Sequence, residues 1–228
     1  MLSVIIPVLN EAQGIRAALS ALQVLRSAGD EIIVADGGSA DATRDLAREL
    51  VDAVVDSPRG RAAQMNAAAQ AARGDILVFL HADTTLPEGA AAMIAGGLAA
   101  PGKAWGRFDV RIAGGSVWFP LIAFMMNWRS RLSGIATGDQ AIFVRRTAFE
   151  KLGGFAAIPL MEDIELSARL KRLSRPLCLR GRVVTSGRRW EKHGVARTIA
   201  LMWWLRLRYF FGASPGALAR RYYRGEGR

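Results

Sequence analysis

The sequence predicts an α/β protein: an open, mostly parallel twisted sheet flanked by helices, with a helical appendage at the C-terminus. Three observations lead there. Through the first hundred residues, short aliphatic runs alternate with Ala/Leu-rich stretches of helical length, as in βαβ units. The runs at residues 2–9, 31–35, 53–56 and 75–80 are almost continuously apolar, as expected of strands buried on both faces of a parallel sheet. Finally, 51% hydrophobic and 22% charged residues in a chain of 228 suit one domain with a sizeable core. A single cysteine, Cys178, excludes a disulfide scaffold.

Taken in order, Ile15, Leu19 and Leu22 recur at helical spacing behind Asn10, read as an N-cap, and Leu46 and Leu50 recur behind Asp41. After residue 100, Trp105, Phe108, Val110 and Ile112 sit among Arg107, Asp109 and Arg111, which predicts a strand with a more exposed face. An apolar segment at 117–126 containing Pro120 follows, then a Gly-bounded strand at 141–144. Thr147 and Glu150 have capping-box spacing, and a helix is expected from about 162 to 172. No run reaches the roughly 18–20 apolar residues that span a bilayer. Met1 leads directly into an apolar run that meets Asn10 and Glu11 without a basic n-region, which predicts a cytoplasmic location.

Charge is unevenly spread. Lys and Arg number 31 against 20 Asp and Glu, a net of +11, yet residues 1–100 hold 7 basic and 12 acidic side chains while the remainder hold 24 and 8. The two halves therefore face different partners.

In an open parallel sheet, ligands bind beyond the carboxyl ends of the strands. Here the first strand runs into Pro7, Asn10 and Glu11, the second into Asp36, Gly37, Ser39 and Asp41, and the fourth into His81 and Asp83. Each of Asn10, Ser39 and Asp41 also reads as a helix cap, but three strands ending in polar and acidic groups point to a shared site. A carboxylate there, Asp83 foremost, suits a divalent cation whose shell is completed by diphosphate oxygens and water. No Gly-x-Gly-x-x-Gly and no P-loop occurs. Arg59 and Gly60 instead open a helix running through Gln64 and Asn66, a basic N-terminus suited to an anion or to plain solvated surface.

The strings Val4-Ile5-Ile6-Pro7-Val8-Leu9-Asn10-Glu11 and Ile33-Val34-Ala35-Asp36-Gly37-Gly38-Ser39-Ala40-Asp41 resemble the opening of the family 2 glycosyltransferases of GT-A fold. Arg59-Gly60-Arg61 through Asn66, Leu80-His81-Ala82-Asp83, Gly138-Asp139-Gln140, Glu162-Asp163 and Arg188-Arg189-Trp190 follow in the family's order. The resemblance implies one GT-A-like domain over 1–228: a nucleotide-sugar half at 1–100, an acceptor and catalytic half at 101–190, and basic-aromatic helices at 191–228. It implies that Asp36 contacts the base and that the turn from Pro7 to Glu11, with Asp41, lines base and ribose. Asp83 ends the Asp-x-Asp position and would bind Mn2+ or Mg2+. His81 replaces the first Asp of that motif and becomes an outer or ribose contact. Asp163 is the implied general base of an inverting displacement, at a helix start that would otherwise read as N-terminal charge.

The implied reaction moves a hexose from a nucleotide donor, a UDP-sugar by resemblance, to an acceptor hydroxyl. Processive synthases of the family carry Gln-x-x-Arg-Trp and channel helices. This chain has Ser186-Gly187-Arg188-Arg189-Trp190 and no such helices, so Arg188, Arg189 and Trp190 are expected over the diphosphate or acceptor. His193 is a further candidate metal ligand. The chain also resembles a compact bacterial subgroup linked to small-metabolite glycosylation, including arsenosugars.

From residue 164 onward, 16 basic side chains accompany 3 acidic ones, with Trp203, Trp204, Tyr209, Phe210 and Phe211 interleaved. That composition fits either a peripheral contact with the inner face of a membrane or a packed helix with arginines at its rim. Arg206 falls opposite Arg197 and Arg208 on the helical wheel and spoils the apolar face. No nucleic-acid module precedes the stretch, so nucleic acid is not an expected partner. The acceptor stays open between a small metabolite and a polyprenyl-phosphate or other lipid. A non-catalytic binding protein at a membrane surface is the contrasting class.

Overall fold

The computed structural model describes residues 1–223; Arg224 and Arg228 of the basic tail lie outside them. The first half comprises β1 (Leu2–Val8), α1 (Ile15–Ser20), α2 (Gln23–Ser27), β2 (Glu31–Asp36), α3 (Thr43–Arg48), β3 (Ala53–Asp56), α4 (Arg61–Ala71), β4 (Ile76–Phe79), β5 (Thr84–Thr85) and α5 (Ala90–Ala99). The second comprises β6 (Trp105–Ala113), α6 (Phe119–Ser133), a 3-10 turn (Gly138–Gln140), β7 (Ile142–Arg145), α7 (Arg146–Lys151), α8 (Glu162–Leu173), β8 (Leu177–Ser186), α9 (Arg188–His193), α10 (Val195–Phe210) and α11 (Pro215–Tyr223).

Among the described residues, one eight-stranded sheet has the order β3-β2-β1-β4-β7-β6-β8-β5. β3, β2, β1 and β4 are parallel, as their unbroken apolar runs predict. Alternate residues serve opposite cores: Val4, Ile6 and Val8 of β1 pack with α1, α5 and α6, whereas Ile5 packs with α4, α7 and α8 on the other face. Each such side chain, fully removed from water, stabilises by about 1.5–3 kcal/mol.

β7 then runs antiparallel to both β4 and β6, while β8 lies parallel to β6. This reversal positions the site. The start of β7, preceded by the 3-10 turn, and the end of β8 both meet the edge where β1, β2 and β4 finish. Arg107 is fully buried in β6, donating to the Asn127 carbonyl on α6 at 3.0 Å and paired with Asp109, which Arg131 of α6 also holds at 2.6 Å. A buried cation is tolerated when paired and hydrogen-bonded in this way, and here it locks α6 to the sheet. A third, smaller core seats Leu205 of α10 and Leu218, Ala219 and Tyr222 of α11 against Leu160 and Met161, just before α8.

Three local expectations fail, one being the Asp41 cap, since the N-cap of α3 is Ala42. Asn10 does not cap α1, whose N-cap is Gly14; it has φ +56° and its Oδ1 accepts the Ala40 amide at 2.8 Å, tying the first turn to the second. Thr147 lies inside α7, whose N-cap is Arg145, so the Thr147–Glu150 spacing caps nothing.

Candidate active site

The site is assembled by loops that bind one another before any ligand arrives. The Asn10 amide donates to Ser39 Oγ at 2.9 Å, the Glu11 amide to Thr43 Oγ1 at 2.8 Å and the Ala12 amide to Asp41 Oδ2 at 3.2 Å. Asp36 is buried; its Oδ2 accepts the Gly38 and Ser39 amides at 3.1 and 3.0 Å, and its Oδ1 is buried with no partner among the described residues. An orphaned acceptor in an otherwise satisfied turn is the feature a ligand N–H would answer. Beneath it, buried Gln64 donates to the Val8 and Ala35 carbonyls at 2.7 and 2.9 Å, stapling the ends of β1 and β2.

Asp83 is exposed just past β4, with its carbonyl accepting the Ser186 amide at 3.2 Å. β8 thereby delivers Arg188, whose Nη2 lies 3.9 Å from Glu11 Oε2. Burial pushes the Glu11 carboxyl up, opposed by Arg188 and reinforced by the charge of Asp83, so these groups share one space. No three His, Cys, Asp or Glu side chains gather as a ready-made cation cage among the described residues. Asp83 with Glu11 nearby nevertheless fits a cation of the kind that takes one or two carboxylates and draws its remaining oxygens from substrate phosphates.

Across from Asp83, His81 Nδ1 lies 3.3 Å from Asp139 Oδ1. Burial pushes Asp139 up, but the His81 hydrogen bond and the charges of His81, Arg61 and Arg206 hold it below the usual carboxylate range. The next link is Asp163 at the head of α8, whose Oδ2 accepts the Gly138 amide at 2.9 Å and whose Oδ1 accepts the Ile164 amide at 2.7 Å. Glu162 beside it is buried, and burial together with the Asp163 charge pushes its carboxyl up. Asn10, Ala141 and Met161, the non-glycine residues with left-handed backbone among those described, all border this site. Such conformations cost about 1–3 kcal/mol each and persist where surrounding contacts over-determine them.

The sequence profile of glycosyl transferase family 2 matches residues 3–153. The chain belongs to this family. A probable glycosyltransferase, YdaM, of Bacillus subtilis is 31% identical over 195 residues, covering 75% of this chain and 46% of that protein. The chain spans less than half the length of the curated relatives it matches. Among solved structures, the mannosyltransferase PcManGT of Pyrobaculum calidifontis, in complex with GDP-Man and Mn2+, aligns at TM-score 0.60 and 22% identity, over 80% of this chain and 56% of that one. Glucosyl-3-phosphoglycerate synthase of Mycobacterium tuberculosis, with Mn2+, UDP and glucosyl-3-phosphoglycerate, aligns at 0.59 and 22%, over 81% and 70%. These likenesses establish the GT-A fold.

Within this family 2 framework the structure redistributes several expected roles. Pro7, Glu11, Asp36, Gly37, Ser39, Asp41 and Asp83 come together as expected. His81, expected as an outer or ribose contact, pairs with Asp139 and packs closely against Gly138. Gln64 acts one layer below the surface, and Asn66 spends both ends of its amide on the Phe155 backbone, at 2.8 and 2.9 Å, so both are scaffolding. Arg59 is exposed; Gly60, at φ +138°, supplies the backbone turn into α4 that other residues rarely adopt.

Gln140 is fully buried and bonds Thr137 and Asn127, which assigns it to the turn itself. Of Arg188, Arg189 and Trp190, the first reaches the edge at Glu11. Trp190 packs on the main core. Arg189 lies 3.8 Å over the Tyr222 ring. His193 joins Arg189, Arg197 and Trp204 around a cavity of about 510 Å3 between α9, α10 and α11, cationic company unsuited to a divalent ion.

Three arginines that sequence reasoning did not assign also border the site. Burial lowers the Arg61 guanidinium, but Tyr222, Glu162, Tyr223 and Asp139 outweigh it and hold it above its ordinary value, while the Arg61 charge in turn lowers Glu11. Arg129 of α6 and Arg206 of α10 both feel the charges of Asp163 and Asp139. The signal for Arg206 was the charge misplaced on its helical wheel; for Arg129 there was none.

Proposed function

We propose that this chain is a metal-dependent, inverting, non-processive glycosyltransferase domain that moves a hexose from a nucleotide donor, a UDP-sugar, to an acceptor hydroxyl. The observation that supports it most is the opposition of two groups across one sheet edge: Asp36, Glu11 and Asp83 on one side, and Asp163 on the other, joined through His81, Asp139 and Gly138.

In this reading residues 1–100 bind the donor. Asp36 Oδ1 takes a base N–H, and the Pro7–Glu11 turn with Ser39 and Asp41 lines base and ribose. Asp83 would hold Mn2+ or Mg2+, which when bound neutralises charge on the departing diphosphate. Arg188 closes over the diphosphate from β8. Asp163 takes the acceptor's hydroxyl proton; its two backbone hydrogen bonds and the amino end of α8 fix its carboxylate for attack on the face opposite the leaving group.

Thermal shift with a panel of nucleotide sugars plus Mn2+ tests the donor half. Stabilisation is expected from at least one donor and is lost in Asp83→Ala. Asp163→Asn should retain that stabilisation and abolish release of the nucleoside diphosphate. A protein that no donor stabilises, or an Asp163→Asn variant with full turnover, contradicts the reading.

A second reading concerns place. Trp118, Leu121, Met125, Trp128 and Leu132 form an exposed stripe at helical spacing along α6, and Trp203, Leu207 and Phe210 form another on α10. None of the helices among the described residues is long and apolar enough to cross a membrane. Exposed aromatics on a strongly basic half support peripheral contact with an anionic bilayer. Co-sedimentation with anionic but not neutral vesicles tests it.

A further inference from the structure

Arg129 of α6 carries buried N–H donors that no hydrogen bond answers among the described residues. Its Nε and Nη2 are buried and have no hydrogen-bond partner among the described residues. A buried donor left unmet in a folded protein calls for a partner that binds there. Its position is fixed from both sides. Asn127, two residues earlier on α6, accepts the Val110 amide at 2.8 Å and lies 3.4 Å from Gln140 Nε2, which roots α6 beside the turn bearing Gly138. Arg206 arrives from the opposite direction: its neighbour Leu205 is fully buried against Leu160 and Met161, immediately before Asp163.

The two guanidiniums sense one another. Burial and then the Arg206 charge push Arg129 down to about 10, while Asp163 and Asp139 oppose the shift. Burial also lowers Arg206, and the carboxylates that act on it are those same two, not Glu11, Asp41 or Asp83 at the donor edge. The pair therefore lies on the acceptor side, by the group assigned as base. Two neighbouring cations, one of them with unmet N–H donors, favour an anion with several oxygens, and the planar fork of arginine matches phosphate oxygens bidentately.

We infer that Arg129 and Arg206 form an acceptor subsite for a phosphate group, so that the hydroxyl presented to Asp163 belongs to a phosphorylated molecule. This rests on the transferase reading above, since it takes Asp163 to be the acceptor-side base. The phosphate is carried either by a soluble phosphomonoester or by a lipid headgroup; the exposed faces of α6 and α10 lie on the same two helices.

The test is calorimetric titration of inorganic phosphate into the protein saturated with UDP and Mn2+. Saturable binding is expected that persists in the presence of UDP and weakens by about tenfold or more in Arg129→Gln and in Arg206→Gln, with UDP affinity unchanged. Arg129→Lys and Arg206→Lys, which keep the charge and lose the fork, should fall between and serve if a glutamine variant does not fold. Phosphate that competes with UDP, that binds the variants as it binds the parent, or that shows no saturable binding overturns the subsite.

If UDP and Mn2+ themselves fail to bind, the donor reading fails, and titration of the unliganded protein still decides this one. Glycerol 3-phosphate and phosphatidylcholine vesicles doped with phosphatidic acid then separate the sources. Displacement by the first assigns a soluble ester, displacement by the second alone assigns a lipid, and displacement by neither contradicts a phosphorylated acceptor.

Discussion

The Gly138 amide donates to Asp163 Oδ2 at 2.9 Å, so the head of α8 is positioned by a turn that begins 25 residues earlier in the chain. The same glycine lies against His81, the residue that closes β4. One backbone position thus sets the distance between the carboxylate proposed as base and the strand end that leads to Asp83.

Gly138→Ala places a Cβ 2.3 Å from His81 Nε2 and 2.6 Å from its Cε1. The imidazole must yield, and the Gly138 amide moves with the turn. Overpacking of this kind costs about 1–3 kcal/mol. Displacing a catalytic carboxylate by about 1 Å lowers turnover on the order of a hundredfold. Steady-state kinetics should show that loss, while donor-induced thermal stabilisation persists because Asp36 and Asp83 are untouched.

Glu162→Gln should stabilise the protein near neutral pH. Burial and the neighbouring Asp163 charge raise the Glu162 carboxyl above its ordinary 4.5. A carboxyl raised on folding favours the folded state most at low pH, and that advantage is lost as pH rises through the folded value. The variant's gain, about 1 kcal/mol or roughly 2–4 °C in a chain of this size, should therefore shrink as the wild type is acidified. Melting curves from mildly acidic to neutral pH measure it; a gain independent of pH would assign the effect to packing.

Glu31→Ala tests the sheet's opposite end. Buried Glu31 accepts from Ser3 Oγ at 2.6 Å and from the Arg73 amide and Nε, both at 2.8 Å. Burial raises its carboxyl, but these three bonds and the Arg73 charge outweigh that and hold it below 4.5. A group lowered on folding contributes stability present above its unfolded value and lost as pH falls through the folded one. The substitution should cost about 2–4 kcal/mol near neutral pH and flatten the acid limb of the unfolding profile below roughly pH 4.5.

Gln64→Ala removes the staple between β1 and β2 and opens a cavity under Gly37, losing about 2–4 kcal/mol. Because Asn10, Ser39 and Asp36 ride on those strand ends, nucleotide affinity should weaken although Gln64 never meets the ligand. Chemical denaturation and a nucleotide titration check the two effects separately.

Periodicity made the parallel half readable. Strands buried on both faces must be apolar throughout, so β1 to β4 announced themselves, and the polar residues that follow them marked the ligand edge. Asp36 and Asp83 stood out as polar groups at strand ends, whereas Asp163 read locally as helix N-terminal charge and was singled out only by the resemblance to the family. Asn10 and the Thr147–Glu150 spacing carried the same cap chemistry and misled, since a cap is decided by backbone angles that tertiary contacts impose. β8 gave little pattern, because a strand near the sheet edge alternates with exposed Arg180 and Arg182.

By itself, then, the sequence determined the α/β class and the polar edge beyond β1, β2 and β4, both of which depend on residues close in the chain. Tertiary structure alone decided what depends on side-chain partners distant in sequence. It turned His81 toward Asp139, stacked Arg189 on Tyr222, set Trp190 against the main core and brought Arg188 to Glu11. It also brought Arg129 and Arg206, 77 positions apart, within the electrostatic reach of the same two carboxylates, Asp163 and Asp139. The physical reason is the reversal at β7, which folds the second half back over the edge of the first, so that the function of a charge there is set by what it faces across the site.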